Sequence, residues 1–158
     1  MKQEEKTNVT RLLESRKIPF TVHTYDPDSS LTGAQIAALL GENADHVFKT
    51  LVTQGKSNQH YVFVIPVTRE LDLKKAAKAA GEKSVSMIPQ KDLLPLTGYV
   101  HGGCSPIGMK KVFPTFLHES AREMERIFVS GGKVGTQIEL APERLAGLVR
   151  VDYADVAV

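Results

Sequence analysis

The run Tyr61-Val62-Phe63-Val64-Ile65-Pro66-Val67 contains no charge, and its only polar side-chain group is the tyrosine hydroxyl. An apolar run this short suits a strand covered on both faces, which a central place in a sheet provides. Upstream, Val47 to Thr53 also has strand composition, and Gln54-Gly55-Lys56-Ser57-Asn58 between the two supplies turn residues. The two segments read as a hairpin whose second strand is central. The rest of the chain must then supply the layers that cover it.

Those layers can be read from spacing and caps. Val9, Leu12, Leu13 and Arg16 recur at helical spacing after the capping residues Thr7 and Asn8, and Pro19 closes that helix. Thr21 to Tyr25 reads as a strand and Asp26 to Leu31 as a polar loop. Thr32 with Gln35 forms a capping box for a helix that carries Ile36, Leu39 and Leu40 and ends at Gly41. Asp72 caps a helix through Lys74, Lys75 and Lys78 to Gly81, Val85 to Ile88 adds a short strand, and Pro89 to Leu94 a short helix. Val112 to Leu117, Ile127 to Val129 and Thr136 to Leu140 read as strands, and Pro142 to Leu148 as a terminal helix. Helices and hairpins interleave, so the expectation is a mixed α/β (α+β) fold. Its sheet is mixed, largely antiparallel and curled or partly closed into a barrel, with helices packed outside. With 42% hydrophobic residues, no repeat and no Pro/Gly/Ser linker, residues 1–158 are expected to share one core in one domain.

Composition narrows the function classes. The N-terminus MKQEEKTNVT lacks an apolar signal region and no run is long enough to cross a bilayer, so a cytoplasmic protein without a membrane partner is expected. The single cysteine, Cys104, excludes an intramolecular disulfide. His23, His46, His60, His101 and His118 show no ligand spacing, so neither a metal nor a cofactor is expected. A net charge of +2 allows local contact with nucleic acid rather than a wide electrostatic grip, and no helix-turn-helix pattern points to DNA.

Four places can carry chemistry. Lys49 sits in Val47-Phe48-Lys49-Thr50-Leu51-Val52, where an ammonium is out of place. It either faces a cleft holding something anionic or polarisable, or guards an edge strand while snorkelling to water. Tyr99 to Gly108 (YVHGGCSPIG) packs three glycines and a proline between apolar segments. Such a loop can turn consecutive N–H groups toward one oxyanion, or simply reverse the chain. Within it, Cys104 three residues after His101 invites a thiolate–base reading, although free cysteines are usually small buried hydrophobes. Ser130, before the glycine pair Gly131-Gly132, can bind a ligand or cap a turn. Lys74, Lys75 and Lys78 form a basic helix face of the kind usually solvated, whereas Lys110-Lys111 follow the glycine loop closely enough to meet phosphates.

Phe48-Lys49-Thr50-Leu51, Leu71-Asp72-Leu73-Lys74-Lys75, Gly102 to Lys111 and Val129-Ser130-Gly131-Gly132-Lys133, taken together and in this order, resemble the YbaK/EbsC family. These are trans-editing deacylases related to the editing domain inserted in prolyl-tRNA synthetase, and the similarity runs from about Val9 to the C-terminus. The resemblance implies an enzyme that deacylates mischarged tRNA at its acceptor end, above all Cys-tRNA(Pro), with Cys-tRNA(Cys) as an alternative, the substrate's own thiol attacking the ester and prolyl-tRNA synthetase as a partner. It implies that Lys49 is the essential site residue, that the amides around Gly102 and Gly103 hold the aminoacyl carbonyl, and that Tyr25, Thr50, Cys104, Ser105, Pro106 and Ser130 belong to the substrate site. Gln137 stands where the family often has an aspartate, and Thr32 about where cysteine-specific members place an aromatic. Both bear on amino-acid selectivity, so another small amino acid is an alternative substrate. A non-catalytic module that binds tRNA ends or a regulatory partner is the rival from another class.

Overall fold

The computed structural model describes residues 6–28 and 30–158. In chain order, α1 (Asn8–Ser15), β1 (Thr21–Thr24), α2 (Gly33–Leu40), β2 (Phe48–Gly55) and β3 (His60–Pro66) come first. They are followed by α3 (Leu73–Ala80), β4 (Val85–Met87), α4 (Leu93–Thr97), β5 (Thr115–His118), β6 (Ile127–Ser130), β7 (Thr136–Leu140) and β8 (Val151–Ala154).

The expected hairpin is present: β2 and β3 pair antiparallel with Lys49 opposite Ile65 and Thr53 opposite Tyr61. They sit inside a five-stranded sheet of order β4-β2-β3-β5-β8, in which the β3–β5 and β5–β8 pairs are parallel. The strand β3 is central, as its apolar run required. Val62 and Val64 point into one buried cluster with Val9 and Leu13 of α1, Ile127 and Val129 of β6, and Ile138 and Leu140 of β7. Phe63 and Ile65 point into a second, with Ala76 and Ala77 of α3 and Val156. This alternation is the period of two that a strand buried on both faces imposes.

Instead of one curled sheet, the strands form two. β1, β7 and β6 make a separate antiparallel sheet, and among the described residues the one backbone bridge to the other is Val47–Phe128. The first sheet's ladder does not run on into the second, so no barrel forms and a gap opens between β2 and the three-stranded sheet.

Local signals set most boundaries. Thr7 caps α1 by accepting from the Thr10 N–H at 3.2 Å, and the Thr32–Gln35 capping box opens α2. Asp72 accepts from the Lys74 and Lys75 amides to open α3. Gly41 and Gly81 close α2 and α3 in the left-handed conformation. Four segments differ from expectation. β5 begins at Thr115 rather than Val112, because Pro114 has no N–H to donate and Val112 lies 80% exposed. Residues Pro142–Gly147 form a 3-10 turn rather than an α-helix, and a 3-10 turn at Gln90–Asp92 leads into α4, which reaches Thr97. The strand β8, in a segment where Val151 and Tyr153 alternate with polar Asp152, was not expected and extends the sheet parallel to β5. Among the described residues, no helix is long and apolar enough to cross a membrane, and no cluster of three or more His, Cys, Asp or Glu could hold a metal ion.

Candidate active site

β4 pairs only with Thr53 to Gly55, so the stretch of β2 from Phe48 to Leu51 has a strand neighbour on one side only. A cavity of about 590 Å³ opens there, against the start of α2, the loop after β1 and both glycine loops. Of the residues expected at a site, Tyr25, Thr32, Lys49, Thr50, Gly102, Cys104, Ser130 and Gln137 line it. Gly103, Ser105 and Pro106 do not; they are buried behind its wall.

The half-buried Lys49 side chain lines the cavity and makes no hydrogen bond or ion pair with the described residues. The cleft-facing reading therefore describes its position better than that of an edge guard. Thr50, next along the strand, also lines the cavity, and its hydroxyl oxygen is buried without a hydrogen-bond partner. Thr32 contributes as the cap of α2, its oxygen already accepting from the Gln35 N–H.

The glycine loop is held from behind. The Tyr99 hydroxyl donates to the Ile107 carbonyl and accepts from the Asn8 amide at 2.7 Å, while the same amide reaches the Gly108 carbonyl at 3.2 Å. Ser105, fully buried, accepts from the Ile107 N–H and stiffens the turn. The Thr7 hydroxyl donates to the Gly131 carbonyl at 2.6 Å. The first turn of α1 thus ties together both glycine loops, a role that the sequence reading missed.

One expected donor is committed elsewhere. The Gly103 N–H donates to the Val100 carbonyl at 2.9 Å, which closes the turn and removes it from the candidates for holding an ester carbonyl. Gly103 serves instead as a contact point: a Cβ there would stand 2.9 Å from both Lys133 Cα and Val134 N. The two glycine loops touch backbone to backbone at this residue. Gly102, with φ of +85°, and Cys104 remain on the cavity wall, and their amides make no backbone hydrogen bond among the described residues. The loop's donor capacity lies with them.

Cys104 is buried in the larger core cluster, and burial pushes its thiol pKa up to about 12, against a smaller opposing effect from the Thr97 hydroxyl. The group is a thiol at neutral pH, and no hydrogen bond joins it to His101. For the deacylation that the family resemblance implies, Cys104→Ala is expected to keep its rate within a few-fold of wild type in a single-turnover assay; loss of activity with a normal thermal melt would restore the nucleophile reading.

Ser130 lines the cavity and accepts from the Gly132 N–H at 3.3 Å, so it caps its turn while its own hydroxyl proton stays available. Gln137 is only 5% exposed, lines the cavity, and its Oε1 has no donor. The apolar part of the wall comes mainly from Leu31, Ile36, Leu51, Val67 and Val134, with Glu70 as a carboxylate among them. Those side chains looked like ordinary core or loop residues in the sequence, since their meeting depends on the gap between the sheets.

The arrangement is a concave, largely apolar chamber with one unpaired lysine, a hydroxyl-bearing strand edge and free loop amides. It can orient a carbonyl and a polar group, and Glu70 and His101 also line it. The model of the aminoacyl-tRNA editing domain matches residues 28–148. The chain is 47% identical over 156 residues to the Enterococcus faecalis protein named "Putative Cys-tRNA(Pro)/Cys-tRNA(Cys) deacylase EbsC", covering 98% of this chain and 95% of that one. It is 24% identical over 157 residues to the "Prolyl-tRNA editing protein ProX" of Acetoanaerobium sticklandii, covering 99% and 90%. The fold matches, with a TM-score of 0.84 at 24% identity, a solved structure described as "a putative trans-editing enzyme for prolyl tRNA synthetase", covering 98% of this chain and 99% of that one. The chain belongs to the aminoacyl-tRNA editing domain family and is an aminoacyl-tRNA deacylase of the YbaK/EbsC type.

Proposed function

We propose that this deacylase clears cysteine from tRNA(Pro), and that the cavity between β2 and the two glycine loops is where the ester is cleaved. The carrying observation is Lys49, half-buried and unpartnered on the wall of a chamber that also holds Gly102. The name of the Enterococcus faecalis relative supports the choice of substrate.

An aminoacyl ester is already activated, so orientation and oxyanion stabilisation suffice. In the cysteinyl ester the thiol sulfur bonds to the carbonyl carbon, and the carbonyl oxygen gains negative charge facing the amides of Gly102 and Cys104. The carbon–oxygen bond to the terminal ribose then breaks. The thiol proton ends on the departing ribose hydroxyl, leaving a four-membered thiolactone that water opens. Lys49 donates hydrogen bonds that position the terminal ribose or the amino acid, while Tyr25, Thr32 and Ser130 bound the chamber. Gly103, Ser105 and Pro106 support the loop from behind.

With a net charge of +2 the protein's own pull on tRNA is weak. A cytoplasmic prolyl-tRNA synthetase that presents the mischarged end would raise its effective concentration, and the names of two relatives point to that setting. The exposed pair Lys110 and Lys111 follows the glycine loop and is assigned to the phosphates of the acceptor end. Changing both to glutamate should weaken tRNA binding and reduce the slope of log affinity against log salt by about one to two. An unchanged slope in a filter-binding titration would remove the pair from the interface.

The reading is tested with Cys-tRNA(Pro) in tenfold excess over enzyme. Repeated turnover supports it, and a stoichiometric complex without release of cysteine overturns it in favour of a binding module.

A further inference from the structure

A row of lysines leads away from the cavity. Lys74 and Lys78 of α3 are exposed one helical turn apart, and beyond Gly81, which ends the helix, come Lys83 and, on the β2–β3 turn, Lys56, both exposed. The backbone N–H of Lys56 donates to the Ser84 carbonyl at 3.0 Å, which holds that turn against the segment after α3. None of the four ammonium groups makes a hydrogen bond or ion pair with the described residues. The carboxylates around them are committed to the fold. Asp72 accepts from the Lys74 and Lys75 amides, Glu82 accepts from the Ser57 and Tyr61 hydroxyls, and Asp155 pairs with Lys75 at 3.1 Å. Glu70, on the cavity wall, stands at the near end of the row.

Sheet register puts this row on the cavity's side of the molecule. Residues opposite each other on paired strands share a face. Lys49, opposite Ile65, and Leu51, opposite Phe63, therefore point to the face on which Ile65 and Phe63 meet Ala76 and Ala77 of α3, and Leu51 packs against that cluster. The helix starts just beyond Glu70 and ends where Glu82 meets Ser57 of the turn. Lys74 and Lys78 are thus about 6 Å apart along its axis, and the row follows the hairpin from its cavity end to its turn, a span of about 25 Å.

The centre of a protein interface is depleted in lysine and enriched in aromatic side chains, whereas Leu73, 44% exposed, is the large apolar side chain that α3 presents to solvent. Spaced, unpaired ammonium groups suit a polyanion whose charges recur along a chain. We propose that Lys74, Lys78, Lys83 and Lys56 form a track for the sugar-phosphate backbone of tRNA as it leaves the cavity, gripping it without regard to base sequence. This rests on the deacylase reading above, which puts the ester beside Lys49, and it adds to the contact assigned to Lys110 and Lys111. Within Leu71-Asp72-Leu73-Lys74-Lys75 the tasks divide: Asp72 caps the helix, Lys75 ties it to Asp155 and the Ala157 carbonyl, and Lys74 faces the RNA.

Filter binding of uncharged tRNA(Pro) across a salt series tests the track without requiring turnover. Lys74→Gln/Lys78→Gln and Lys56→Gln/Lys83→Gln remove charge without adding repulsion. Each pair should weaken binding several-fold at ~0.1 M salt and reduce the slope of log affinity against log salt by about one to two. Arg144→Gln/Arg150→Gln removes the same charge from exposed positions before β8, at the sheet edge opposite β4, and should leave that slope as in wild type. An equal fall in the arginine pair would make the effect one of net charge and overturn the track, as would wild-type slopes in both lysine pairs. Wild-type tRNA binding with lost binding to prolyl-tRNA synthetase would give the surface to a protein and overturn it too. A wild type that binds tRNA with the expected slopes but releases no cysteine from Cys-tRNA(Pro) would keep the track and refute the deacylase reading instead.

Discussion

Replacing Lys49 with alanine is expected to lower the deacylation of Cys-tRNA(Pro) by about a hundredfold to a thousandfold, the range seen when one preorganised donor is removed from a reacting ester. The side chain is half-buried and bonded to no described residue, so its loss leaves no orphaned partner. Stability should therefore change by no more than about 0.5 kcal/mol, as at other sites free of structural partners. Lys49→Met, which keeps the aliphatic stem without the charge, should be as inactive as Lys49→Ala if the ammonium is what matters. Single-turnover rates with circular dichroism melts separate the two effects. A Lys49→Ala enzyme that keeps a third of its activity would show that the cavity works without its lysine.

Gly103→Ala should be strongly damaging for a single methyl. The added carbon would stand 2.9 Å from Lys133 Cα and Val134 N, and both are backbone atoms that cannot swing aside. The two glycine loops would have to part, and Gly102 and Cys104 would move with them. Overpacking of this kind costs about 1–3 kcal/mol, which for a domain of this length lowers the melting temperature by roughly 2–12 °C. Activity should fall further than stability does, because the amides facing the carbonyl shift even in molecules that stay folded. A mutant that melts lower but is fully active would mean that the loop's position is not coupled to the chemistry. Gly147→Ala is the control, since nothing lies within 4 Å of a Cβ built there.

How far the sequence could be read depended on the range of the interactions involved. The caps Thr7, Thr32 and Asp72 and the left-handed Gly41 and Gly81 act within a few residues and appear where expected. The central strand β3 was legible because burial on both faces leaves no room for polar residues. Lys49 stood out for the converse reason, as a charge in a strand with apolar neighbours. What stayed hidden was long-range. Whether the strands form one sheet or two depends on β1, β6 and β7 pairing among themselves, which no local pattern encodes. The tie from Asn8 to Tyr99 spans 91 positions, and the commitment of the Gly103 amide depends on the shape of its turn.

In the proposed mechanism the chamber supplies geometry while the substrate supplies the nucleophile. The most direct measurement is multiple-turnover deacylation of tRNA(Pro) charged with cysteine, serine or alanine, each rate taken relative to the uncatalysed ester. The cysteinyl ester should turn over rapidly, and the seryl and alanyl esters, which lack the thiol, about a hundredfold more slowly or not at all. Equal acceleration of all three would contradict it, because the nucleophile would then have to come from the protein or from water.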